Sequence, residues 1–216
     1  MTSFDRPAAA DEPAQEDLNN IELLNEYLLS DDPKRLETAK TFLATHGIDA
    51  PRFEMIVRLR RLREEVHRQN EVETAARVER NPMPNEEELS MGAYGEMIES
   101  TVRDAVLTMR HKGYNTLSSG FNELDMQSTN FSGTPLAGLD EASRSALEGL
   151  GAILRENSVT FRSETAEPED IRRRWQKIAE ALPDLGHPAD PSPSPIAKMF
   201  RDRADRGELK KWYGRE

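Results

Sequence analysis

Cysteine is missing from this chain of 216 residues. Its absence excludes a disulfide framework, a thiolate metal site and a cysteine nucleophile. With 32% charged and 36% hydrophobic residues, the chain has material for one modest folded domain with polar extensions. It does not have enough for two large cores.

Long apolar runs are missing as well. No stretch approaches the roughly 18 apolar residues that cross a membrane. The first twenty residues carry five acids and one base, which is the opposite of the basic, apolar pattern of a signal peptide. The sequence therefore predicts a cytoplasmic protein without a membrane segment.

Basic residues are fewer than acidic ones, 29 against 40, and the net charge is -11. The acidic excess is concentrated in the segment 85–183. Because a phosphate backbone is repelled by an acidic surface, this distribution disfavours nucleic acid as a partner.

The pattern of breaks and composition divides the chain into five segments. Residues 1–20 are rich in acid, alanine and proline and are predicted to be disordered. Residues 21–81 read as a helical arm, and 85–183 as an α/β domain. A Pro/Ser linker is predicted over 184–195, and an amphipathic helical tail over 196–216.

The predicted fold class is α+β, helix-rich, with a small three-stranded sheet in the order α-β-β-α-β-α. Periodicity and capping residues predict these elements inside the domain: a helix from Asn85 to about Met109, strands Tyr114 to Phe121 and Leu124 to Phe131, a helix from Asp140 through Leu154, a strand Ser158 to Ser163, and a helix from Glu167 to Leu182.

Catalytic motifs are not evident, and the catalytic residues stay unknown. The run Gly113 to Phe121 is not a Gly-x-Ser-x-Gly elbow, and the glycines of 149–151 form no phosphate loop. The four histidines show no ligand spacing, so neither a metal nor another cofactor is predicted. Glu99 and Arg103 are expected to pair along a solvated helix face.

One candidate ligand pocket lies on the first predicted strand, formed by Thr116, Ser118, Ser119 and Gly120. Small hydroxyls on a strand that reaches a glycine can line a pocket, and glycine lets a ligand approach the backbone. Threonine and Ser-Ser-Gly are also ordinary residues at the end of a strand. A small ligand-binding domain or enzyme is therefore one alternative function.

A second alternative comes from the basic helix Arg58 to Arg68, with Arg60, Arg61 and Arg63 as the candidate contacts of an RNA-associated protein. No aromatic residue is interleaved to stack on bases. A solvated helix face explains the same residues.

The leading hypothesis is a non-enzymatic protein-interaction or regulatory module, with a protein partner or through self-association. It depends on large apolar residues that follow the Pro/Ser linker, namely Met199, Phe200, Trp212 and Tyr213. Such residues either fold back onto the chain or dock into a partner.

Overall fold

A computed structural model describes residues 18–80, 95, 98–187 and 189. Of the segment 1–20 that was predicted to be disordered, residues 1–17 lie outside the described residues, as does the predicted tail, whereas Leu18 is ordered and buried. The chain divides into two compact units, Met1–Arg60 and Arg61–Glu216. Among the described residues, no helix combines the length and the apolar composition that crossing a membrane requires.

The first unit is helical, and its boundary lies inside the segment 21–81 that was predicted as a helical arm. It contains α1 (Ile21–Leu28), α2 (Pro33–Thr45) and the first part of α3 (Ala50–Arg80). Asn20 caps α1 and Asp32 caps α2, each accepting a hydrogen bond from a backbone N–H two residues on, at 2.9 and 3.0 Å. The buried side chains of the unit recur at helical spacing: Leu24, Tyr27, Leu28, Ala39, Phe42, Leu43, Phe53, Ile56 and Leu59.

The second unit confirms the α+β class. Its helices and strands, besides the remainder of α3, are α4 (Arg103–His111), β1 (Thr116–Phe121), β2 (Met126–Phe131), α5 (Glu141–Gly149), β3 (Ala152–Arg155), β4 (Ser158–Arg162) and α6 (Pro168–Ala181). The strands form one antiparallel sheet in the order β1-β2-β4-β3. Strands β1 and β3 are therefore its two edges.

The sheet has four strands, and the prediction of three was wrong. The predicted helix from Asp140 ends at Gly149, and β3 follows in what was taken as its last turn. Gly151 adopts a φ of +74°, which favours glycine and ends the helical path. The guanidinium of Arg174 lies against Gly151 and donates to the carbonyl of Leu150 at 3.0 and 3.2 Å.

The core of this unit lies between α6 and one face of the sheet. The rings of Phe161 and Trp175 meet edge-on at 4.8 Å, and those of Tyr114 and Phe131 lie 5.4 Å apart. The apolar residues of α6 are buried, and so is Leu182 directly after the helix: Ile171, Trp175, Ile178, Ala179 and Leu182.

The predicted helix from Asn85 to about Met109 can be compared with the structure only in part. Residues 85–94 lie outside the described residues, and α4 begins at Arg103 after a turn over 98–102. The turn is closed by hydrogen bonds from the N–H groups of Val102 and Arg103 to the carbonyl of Glu99, at 3.0 and 2.9 Å. Glu99 therefore precedes α4 rather than lying on it.

Helices α4 and α6 run side by side in the same direction. At their starts, Arg172 donates to the carbonyl of Ser100 at 3.3 Å. At their ends, the Lys112 ammonium donates to the carbonyls of Ala179, Glu180 and Leu182 at 3.0, 2.7 and 2.6 Å. Lys112 thus caps α6 with a positive charge at the negative end of the helix dipole.

The segment after α6 packs on the domain, although a linker was predicted from residue 184. The N–H groups of Leu185 and Ala189 donate to the carbonyls of Lys112 and Arg110, both at 2.9 Å. The Tyr114 hydroxyl donates to the carbonyl of Pro183 at 3.0 Å. Burial, with the nearby Asp184 carboxylate, raises the pKa of Tyr114 to about 12.

Candidate functional site

The residues of the predicted ligand pocket lie on the edge strand β1. Ser118 is exposed, and its hydroxyl accepts a hydrogen bond from the Asn130 amide at 2.9 Å. Ser119 is half-buried and lies opposite Thr129 of β2. The ladder is irregular between Thr116 and Ser118, which marks a β-bulge at Leu117. A ligand at these residues stays a prediction.

Gly120 has a structural reason to be glycine. Its φ is +120°, and a Cβ placed on it would lie 2.8 Å from the carboxyl carbon of Glu99. The Glu99 carboxylate therefore fills the space beside Gly120 that the predicted ligand would need.

Glu99 also contacts helix α3. The His67 Nε2 atom lies 2.8 Å from Glu99 Oε1, and the Glu99 side chain is only 15% exposed. Contact with the Glu99 carboxylate raises the pKa of His67; partial burial and Arg63 oppose the shift, and Glu64 supports it. We call His67, Glu99 and Gly120 the Glu99 cluster, since it joins α3, the 98–102 turn and β1.

A second contact links α3 with the same part of the chain. Arg103 donates to Glu73 of α3 at 2.5 Å and to the carbonyl of Ile98 at 3.0 Å. The predicted ion pair of Glu99 with Arg103 on a solvated face is thus replaced: Glu99 pairs with His67, and Arg103 pairs with Glu73. The physical reason is the turn over 98–102, which takes Glu99 off the helix axis that the spacing assumed.

An open groove of about 530 Å³ runs between α4 and α6. Its charged lining residues are three acids and three bases: Asp104, Glu169, Glu180, Arg172, Arg173 and Lys177. Because the two signs balance, the groove offers no net charge to select an anionic or a cationic ligand.

The edge strand β3 has backbone groups that its neighbour β4 does not bind, although Ala152 is only 5% exposed and Leu154 is intermediate. A two-residue turn, Glu156 and Asn157, joins it to β4, so Arg155 and Ser158 form the hydrogen-bonded pair beside the turn. By alternation, the N–H and C=O groups of Ala152 and Leu154 point away from β4. Within the described residues, neither has a further backbone partner. Between them, the Ile153 side chain is 53% exposed.

The three arginines of the predicted basic patch do not share one environment. Arg60 is 2% exposed, whereas Arg61 is exposed and Arg63 is intermediate. The expectation of a solvated face therefore fails at Arg60. Glu65 of the same helix contacts Arg68, which holds the pKa of that carboxyl below its usual value.

The tail residues Met199, Phe200, Trp212 and Tyr213 lie outside the described residues, and their role in docking stays a prediction. Among the described residues, no group of three or more histidine and acidic side chains could hold a metal ion. Two features were missed from the sequence. Strand β3 was missed because its apolar residues continue the helical spacing of the preceding helix. The contact of His67 with Glu99 was missed because the two residues are far apart in the chain and no local pattern links them.

No protein-family model matches this chain, and comparisons with curated proteins and with solved structures likewise find no match.

Proposed function

We propose that this protein is a non-enzymatic protein-interaction module, which docks an extended segment of a partner protein along strand β3. The observation that carries the proposal is the open backbone edge of β3 with the exposed Ile153 at its centre. In this mode of recognition, backbone hydrogen bonds supply affinity and side-chain pockets supply specificity.

The chemistry of β3 supports a docked strand. Ala152 and Leu154 each have one N–H and one C=O that β4 does not use, at the spacing of a further strand, and Leu154 is the more exposed of the two. Ile153, with a large exposed apolar side chain, is β-branched and suits a cross-strand contact with an apolar partner residue.

The other edge of the sheet, β1, has features that block the addition of a strand, and β3 lacks them. Edge strands are commonly blunted by bulges, charges or covering segments. Strand β1 has a bulge at Leu117 and a carboxylate, from Glu99, beside Gly120. Strand β3 has a regular register and no proline, and its one charged residue, Arg155, lies at its end beside the turn.

Affinity purification from an extract of the native host tests the proposal with three baits. They are the wild type, Ile153→Lys, and Val72→Lys as a control. Val72 is a 64% exposed apolar residue of α3, so the control makes the same change of chemistry away from the sheet. We expect a stoichiometric protein partner to be retained by wild type and Val72→Lys and reduced at least tenfold with Ile153→Lys. Thermal melting of the three proteins verifies that each is folded.

A fourth bait, truncated after Ala189, separates this mode from docking through the tail. Ala189 is the last described residue that packs on the domain, so the truncation leaves that contact in place. A partner lost only with the truncated bait would contradict docking on β3 and favour the tail residues Phe200 and Trp212. Absence of a protein partner from every bait would contradict the interaction module itself.

A further inference from the structure

The Glu99 cluster holds one carboxylate between two separate elements. On one side Glu99 Oε1 lies 2.8 Å from His67 Nε2 of α3. On the other side the carboxyl carbon would lie 2.8 Å from a Cβ on Gly120 of β1. The turn that carries Glu99 is thereby fixed against both α3 and the edge of the sheet.

The charge of Glu99 depends on His67 for compensation. Its side chain is 15% exposed, and its Oε2 atom is buried without a hydrogen-bond partner. The His67 Nε2 atom lies within ion-pair distance of Oε1, but the two are not aligned for a hydrogen bond. A carboxylate in such surroundings is costly unless a cation compensates it. The other charged groups that act on His67 are Arg63 and Glu64 of its own helix, which oppose each other in sign.

We propose that His67 and Glu99 form a proton-dependent catch, which fixes the second half of α3 to the 98–102 turn and through it to β1. Protonated His67 closes the catch by compensating the Glu99 carboxylate. When His67 loses its proton, the carboxylate is left without that compensation, and this part of α3 opens more often.

The direction of the pH dependence follows from the geometry. Pairing raises the pKa of His67 in the folded chain above its usual value of about 6.5. The stabilising contribution is therefore complete below that usual value and is lost as the pH rises through the pKa of the folded state. Each unit of increase in the pKa corresponds to a change of about tenfold in the opening equilibrium between the two limits.

Hydrogen exchange measured by mass spectrometry tests the catch in the full chain. Labelling at pH 6.0 and pH 8.5, with times scaled to the intrinsic exchange rate, compares wild type with His67→Gln and His67→Lys. We expect wild-type peptides covering 61–77 to lose protection several-fold at the higher pH. The variant with a neutral side chain should be open at both pH values, and the variant with a permanent positive charge should be closed at both.

His46→Gln is the matched control, because His46 caps α2 in the other unit and should leave the pH response unchanged. A titration of the imidazole of His67 by NMR adds a second measurement. The catch would be refuted by wild-type protection of 61–77 that does not change with pH, by a pH response that survives in His67→Gln, or by a His67 pKa at or below about 6.5. None of these outcomes depends on whether β3 docks a partner.

Discussion

Lys112 offers the most direct test of how the second unit is held together. Its ammonium donates to three carbonyls near the end of α6, at 3.0, 2.7 and 2.6 Å, and it lies directly after α4. Lys112→Met keeps the length and the apolar part of the side chain but removes the charge and all three donors. Loss of stability in this variant therefore measures the cap.

The expected loss is about 3 kcal/mol. A hydrogen bond to a charged group contributes about 1.5–3 kcal/mol, and interaction with the helix dipole adds roughly 0.3–1 kcal/mol. The three hydrogen bonds share one ammonium group, and without it the carbonyls can bind water at this partly exposed site. The free-energy contributions of the three bonds are therefore less than additive. For a chain of this size, about 3 kcal/mol corresponds to a fall of about 6–12 °C in Tm.

Urea denaturation followed by circular dichroism, with thermal melting beside it, measures the change. The control is Lys177→Met, which makes the same substitution at an exposed lysine of α6. We expect the control to change the free energy of unfolding by less than about 0.5 kcal/mol. If Lys112→Met were as stable as the control, the three carbonyl contacts would not hold the end of α6, and the reasoning would be refuted.

Two further substitutions test the packing around the sheet. Gly120→Ala should cost about 2–4 kcal/mol, because a Cβ there meets Glu99 and the φ of +120° is unfavourable for alanine. Gly133→Ala, at φ +70° with open space around it, is the control for a positive φ without a side-chain contact in the same urea assay, and equal losses would rule out the contact with Glu99. Gln127 is 1% exposed with both amide atoms unpartnered, so Gln127→Leu should be neutral or stabilising by about 1 kcal/mol. Gln176→Leu, which removes an amide that donates to Glu180 at 3.1 Å, is its control, and a larger loss from Gln127→Leu would contradict the assignment.

The elements that the sequence predicted well are those whose signals are local. Asp32 before Pro33 and Asp140 before α5 cap helices through contacts within three residues, so their identity alone indicates a helix start. The apolar residues of α6 repeat at helical spacing, which predicted the helix, and they are buried, Trp175 included.

Strand β3 was missed because two local signals conflict. Ile153 and Leu154 follow Leu147 and Leu150 at helical spacing, and this pattern continues the helix across Gly151. The helix ends there because Gly151 has a positive φ and the guanidinium of Arg174, from a helix later in the chain, packs against it. Residues 149–155 alone give no sign of the contact with Arg174. Periodicity therefore could not locate the boundary between α5 and β3.

The Glu99 cluster could not be predicted for a related reason. Glu99 and Arg103 have the spacing of a helical ion pair, and that spacing is meaningful only if both residues lie on one helix. The 98–102 turn removes this condition and leaves the carboxylate between His67 and Gly120. The single local hint was Gly120 itself, because a glycine inside a strand often marks a close approach of another group.

The two edges of the sheet explain why the two proposals can fail separately. The catch involves β1 and the proposed partner contact involves β3, with β2 and β4 between them. Three inter-strand spacings of about 4.8 Å separate the edges by roughly 14 Å, beyond the 7–10 Å within which substitutions commonly couple. A partner strand on β3 would extend the sheet away from Glu99 and leave His67 free to titrate. The proposed protonation of His67 therefore affects the edge formed by β1, and the proposed partner strand adds to the edge formed by β3.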